Sequence, residues 1–245
     1  MSQRIAVIGT GFRPQGHSRP PPEIAALITN GFSVELIEIP DGVFPGDPAA
    51  RAVCDRQYYE TGLQARDAGF DAIYINTVGD YGLSPLRETL AIPVVGSGEA
   101  SLRVASAFGP FVIVTIWPQA LAFLYERVLD DTGTAKNLLG ITHLSANGDL
   151  ATLADEQNFV TDMRAYDLSS LEKIRTARDT AITEQKAAAV VLGCTCMAPT
   201  ASELSSGSEI PTLEPMTLGY RLTEHCLRSG QLPQEVDGRQ LRELF

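Results

Sequence analysis

Ala189-Val-Val-Leu-Gly-Cys-Thr195 and Ala72-Ile-Tyr-Ile-Asn-Thr-Val78 decide the fold, because they superpose at an offset of 117 residues (72 to 189). Each is a short apolar run rich in β-branched residues, the pattern of a strand buried on both faces of a parallel sheet. A second pair, Ile92-Pro-Val-Val-Gly96 and Ile210-Pro-Thr-Leu-Glu214, repeats at 118 (92 to 210) and carries Arg103 onto Arg221. Two matches at nearly one offset, with the same order of elements, predict a duplicated unit. A single doubly wound sheet is the alternative.

Outward from these stretches, Val- and Ile-rich runs alternate with segments of helical periodicity. Strands are expected near 4–9, 33–39, 71–76, 92–95, 111–116, 137–142, 188–193 and 210–213. Pro20 to Pro22 open a helix through Glu23-Ile-Ala-Ala-Leu-Ile, and Asp47-Pro48 open a longer one by the N-cap and first-turn preferences of those residues. The expected class is α/β, with two pseudo-symmetric Rossmann-like lobes, parallel sheets and an interlobe cleft. Residues 1–97 plus 212–245 would form the first lobe and 98–211 the second. Ligands of such folds bind at the carboxyl ends of strands, so the loops after 71–76 and 188–193 would face each other, Thr77 opposite Cys194.

Thirty acidic against nineteen basic side chains leave a net charge of -11, which repels a phosphate backbone and an anionic membrane surface. Nucleic acid and membrane are therefore not expected partners; a small molecule is. No apolar run reaches the roughly 20 residues of a membrane span, and the start, Met1-Ser-Gln-Arg-Ile, lacks a secretory pattern, so a cytoplasmic location is expected. Cys54, Cys194, Cys196 and Cys226 suit neither a disulfide scaffold nor paired zinc knuckles, and reduced thiols are expected. His143 and His225 add no usual zinc spacing, so no metal is assigned.

Cys194 stands at the tip of a buried strand, between Gly193 and Thr195, with Pro199 leading toward a helix. Amide N–H groups and a helix dipole at such a turn favour negative charge, and so either a thiolate or a bound carboxylate. Gly193 allows close backbone approach, and the Thr195 hydroxyl offers a directional hydrogen bond. For an isolated cysteine, packing in a turn is the commoner role.

Val191-Leu-Gly-Cys-Thr resembles the second-cysteine motif, LGCT, of the aspartate/glutamate/hydantoin racemase superfamily. Phe70-Asp-Ala-Ile, Gly79-Asp80 and Gly82-Leu83 look like the first-cysteine region of hydantoin racemases, and Pro93-Val-Val-Gly-Ser-Gly-Glu-Ala continues the likeness. The resemblance implies two lobes across a cleft, one catalytic residue from each, and no cofactor. It implies a racemase or epimerase acting next to a carboxylate or carbonyl, on an amino acid or hydantoin-type substrate. Relatives also commonly form homo-oligomers.

Where the family's two-thiol members carry the first cysteine, this chain has Thr77; an alternative register would match Asn76-Thr77 to a CNT motif and put Ile75 at that position. A hydroxyl is a far weaker acid than a thiol. Two superfamily chemistries that need one thiol thus stay open: carbon–carbon lyase action as in arylmalonate decarboxylases, and cis-trans isomerisation as in maleate isomerases. A non-catalytic small-molecule binding protein is the third reading. At the first strand end Gly9-Thr10-Gly11-Phe12 replaces the Asn-Pro-Asn-Thr loop of hydantoin racemases, and Cys196-Met197-Ala198 replaces the His-Tyr-Pro of glutamate racemases. Gly9-x-Gly11 is not a dinucleotide fingerprint, since Pro14 holds the third glycine position and no acidic residue is expected to end the next strand suitably.

Cys194 and Thr77 are thus the expected catalytic pair. Thr10, Asn76, Val78, Trp117, Thr195 and Cys196 are the expected substrate-binding positions. Asp80 and Glu99 are expected to orient the pocket or cap helices, and Cys54 and Cys226 to pack within them.

Overall fold

The computed structural model describes residues 2–10, 19–39, 41–149, 168–205 and 208–244. Two four-stranded parallel sheets form the α/β frame. The first joins β1 (Gln3–Thr10), β2 (Phe32–Ile39), β3 (Ala72–Ile75) and β4 (Val94–Gly96) in the order β2-β1-β3-β4. The second joins β5 (Phe111–Thr115), β6 (Leu138–His143), β7 (Ala189–Leu192) and β8 (Thr212–Leu213) in the order β6-β5-β7-β8. The two sheets therefore repeat one topology, and β3 and β7, the strands that superpose in sequence, hold the same place in each. All eight expected strands are present.

The helices in chain order are α1 (Pro22–Ala25), α2 (Pro48–Asp67), α3 (Leu83–Thr89), α4 (Ser97–Phe108), α5 (Ala122–Thr132), α6 (Leu168–Thr183), α7 (Ala201–Ser205), α8 (Pro215–Ser229) and α9 (Gly238–Glu243). Asp47 caps α2 by accepting from the Ala50 amide, with Pro48 in the first turn as its fixed φ favours. No helix among the described residues is long and apolar enough to cross a membrane.

β3, β5 and β7 are buried along their whole length, which explains why their sequences are continuously apolar rather than alternating. One core runs through both sheets: Val7 and Tyr74 of the first and Ile113 and Val191 of the second share a cluster with Leu102 of α4 and Leu218 of α8. Helices α4 and α8 lie against each other, α4 also against β7 of the second sheet and α8 against β3 and β4 of the first. Each helix thus leaves the sheet it follows and packs on the other, so burial of apolar area locks the sheets together.

Candidate functional site

Between the sheets lies a cavity of about 190 Å³. That volume suits a small metabolite rather than a peptide. Its walls include Asn76, Thr77, Val78, Trp117, Cys194, Thr195 and Cys196, so the structure brings together every expected site residue but one. The exception is Thr10. It ends β1, paired with Ile39, but its side chain lies outside the described residues, as do Gly11 and Pro14.

The two opposed loops meet. The Thr195 hydroxyl donates to the Asn76 carbonyl at 3.4 Å, tying the tip of β7 to the tip of β3. The Tyr74 hydroxyl donates to the Met216 carbonyl at 2.8 Å and lies 3.2 Å from the Asn76 amide oxygen, so α8 braces the same loop from below. Thr77 differs from its neighbours: its Oγ1 is buried and has no hydrogen-bond partner among the described residues. An unpaired buried hydroxyl costs about 1–3 kcal/mol, a penalty that a bound polar group removes.

Cys194 is nearly buried at the end of β7. Gly193 before it must be glycine, because a Cβ there would lie 2.4 Å from Thr115 Cβ and 3.0 Å from the Tyr125 hydroxyl. The Tyr125 hydroxyl donates to the Gly193 carbonyl at 2.6 Å and sits 2.6 Å from Thr115 Oγ1. Burial pushes the Tyr125 phenol up, so it stays protonated and able to donate. The Trp117 amide donates to the same Thr115 hydroxyl at 3.2 Å. One buried network therefore fixes both the cysteine loop and the overhanging tryptophan.

Two expectations about Cys194 change. The segment after it is a 3-10 turn, Thr195–Thr200, with Pro199 inside it, followed only by the five residues of α7. So short a helix supplies little dipole, and the negative charge of a sulfur there is met instead by the Cys196 amide, 3.3 Å from Cys194 Sγ. Nor are all the thiols reduced: the tight turn brings Cys194 and Cys196 to a Cα–Cα distance of 5.2 Å, and a disulfide joins them. Cys54 and Cys226 are free and buried in α2 and α8, as packing residues would be.

Asp80 sits beyond the cavity wall. It accepts from the Gly98 amide at 2.9 Å and the Glu99 amide at 2.5 Å, capping α4, and burial pushes its carboxyl up to about 8. Glu99 pairs with Arg87 at 2.5 Å and Arg103 at 3.1 Å. Glu214, the N-cap residue of α8, accepts from the Met216 and Thr217 amides. Among the described residues, no group of three or more His, Cys, Asp and Glu side chains is placed to hold a metal.

The cavity also contains residues that the sequence reading left out: Glu38, Phe44, Leu121, Leu124, Tyr81 and Met216. Glu38 was within reach, since it stands at the carboxyl end of β2, where ligand sites lie. It also corrects the expectation that no acid ends that strand. The acid is there, but Pro14 still holds the position of the third glycine of a dinucleotide fingerprint. Phe44 and Trp117 pair with ring centroids 5.5 Å apart and close the apolar side.

Residues 24–223 match the Asp/Glu/hydantoin racemase family. A hydantoin racemase of Paenarthrobacter aurescens is 30% identical over 171 residues, 69% of this chain and 67% of that protein. Among solved structures, an allantoin racemase from Klebsiella pneumoniae has a TM-score of 0.73 at 22% identity, covering 98% of this chain and 93% of its own. A Nocardia farcinica maleate cis-trans isomerase mutant, solved with a covalently bound succinylcysteine intermediate, has a TM-score of 0.66 at 18% identity over 99% of both chains. The chain belongs to the Asp/Glu/hydantoin racemase family.

Proposed function

We propose that the protein is a cofactor-independent racemase acting at the carbon next to a carbonyl of a hydantoin-type substrate, with Cys194 and Thr77 on opposite faces of that carbon. The observation that carries this reading is the meeting of the two loop tips in one cavity, with Cys194 on the β7 side and an unpartnered Thr77 hydroxyl on the β3 side. In the reduced protein the Cys194 thiolate takes the α-proton, and the electron pair moves into the adjacent carbonyl to give an enolate. The Thr77 hydroxyl returns a proton on the other face and recovers its own from water, and the Cys194 thiol gives up the proton it took to the hydroxide so formed, which restores both groups. Amides at the loop tips hold the developing oxyanion. A thiol and an alcohol are unequal acids, so kcat and KM differ between the two directions while kcat/KM, bound by an equilibrium constant of one, stays equal.

Incubation in deuterium oxide tests this reading. Recovered hydantoin gains one deuterium at its α-carbon with the wild type and none with Cys194→Ala, and exchange that survives Cys194→Ala overturns the assignment. Thr77 also favours a second reading, in which Cys194 works alone as a lyase or a cis-trans isomerase. Label found only in a decarboxylated or isomerised product selects that reading.

A further inference from the structure

Glu38 is the one charged side chain among the described residues of the cavity wall; no lysine, arginine or histidine stands with it. It reaches the wall from the end of β2, beside Gly9 of β1, and shares that wall with the apolar group of Phe44, Trp117, Leu121 and Leu124. Its Oε1 is shielded from solvent and has no hydrogen-bond partner among the described residues. A shielded carboxylate oxygen without a donor is costly, more so than a neutral group in the same place. Folding alone leaves that cost standing, and a ligand N–H removes it.

We infer that Glu38 is the residue that selects the substrate: its carboxylate accepts an N–H of a neutral imide or ureide ring and turns dicarboxylates away. The inference rests on the racemase reading of the cavity given above. A ring N–H offers a donor without a second charge, and an apolar ring substituent fits against Phe44, Trp117, Leu121 and Leu124. A dicarboxylate brings a second anion toward Glu38 where no described wall residue supplies a cation, so it meets repulsion and desolvation together. An amino acid gains from its ammonium but leaves its own carboxylate without a basic partner on the described wall.

The test reads binding and turnover separately, in full-length protein kept reduced by a phosphine. Alkylation of Cys194 by iodoacetamide, followed by mass spectrometry, reports occupancy of the cavity. Benzylhydantoin and its N,N'-dimethyl analogue are the probes, and succinate is the dicarboxylate; optical rotation follows racemisation. In the wild type, methylation should weaken protection about tenfold to a hundredfold, the range for a hydrogen bond to a charged acceptor. In Glu38→Leu the two hydantoins should protect within about threefold of each other, with Glu38→Gln between, and succinate should protect both variants better than it protects the wild type. Comparing ratios across protein and ligand cancels the bulk of the methyl groups.

If both variants keep the wild-type preference for the N–H form, the role of Glu38 is overturned whether or not the enzyme racemises. Glu38-dependent protection without racemisation overturns the proposed function and leaves the binding role standing. A wild type that neither hydantoin protects overturns both.

Discussion

Tyr125→Phe removes a single oxygen atom and should disable the loop that carries Cys194. The hydroxyl is buried, 2.6 Å from both the Gly193 carbonyl and Thr115 Oγ1. Phenylalanine keeps the ring and opens no large cavity, so the loss is polar. It consists of two buried hydrogen bonds and a Gly193 carbonyl without that donor, together about 2–4 kcal/mol. For a chain of this size that is a fall in melting temperature of about 5–15 °C. Gly193 adjoins Cys194, so relaxation of the loop should also move the sulfur and lower the rate of α-deuterium exchange at least about tenfold. The assay is calorimetry beside exchange into deuterium oxide, with Tyr59→Phe as control. The Tyr59 hydroxyl makes an exposed contact with Thr89 at 3.3 Å, and its loss should cost under about 0.5 kcal/mol. A Tyr125→Phe protein that melts within about 1 °C of the wild type and exchanges at its rate would refute the view that this network holds the site.

Thr77→Cys should bring the forward and reverse kcat values closer together, measured at saturation from each enantiomer; an unchanged kcat ratio shows that Thr77 does not face the reacting carbon. The Cys194–Cys196 disulfide leaves no thiolate, so activity should rise when a dithiol supplies two electrons and two protons to it. Cys196→Ser should then be active without reductant, and a variant that still needs the dithiol locates the reducible bond elsewhere. Burial raises the Asp80 carboxyl from 3.8 to about 8, so its proton is held more tightly in the folded protein than in the unfolded chain. Its contribution to stability is therefore full below about pH 4 and is lost as pH rises through about 8. The melting-temperature advantage of wild type over Asp80→Asn should shrink steadily between pH 5 and 9; an advantage that stays constant or grows shows that Asp80 is ionised throughout.

The sequence by itself determined the strands, their parallel arrangement and the duplication, because a strand buried on both faces has no choice but to be continuously apolar, as Ala72–Ile75 and Ala189–Leu192 are. It also pointed to Thr77 and Cys194 as residues of one cavity wall, where both stand because equivalent strands of two like sheets end at one cleft. Asp47 and Pro48 announced α2 through local backbone chemistry alone. Only the tertiary structure decided what the cleft is made of. The exchange of α4 and α8 between the sheets, the bond between Cys194 and Cys196, and the meeting of Phe44 with Trp117 all depend on segments distant in the chain or on the curvature of one turn. Glu38 is the clearest case. Along the chain it is one acid among thirty, and it acquires meaning only because burial strips the water from one carboxylate oxygen and no described residue supplies a donor in its place.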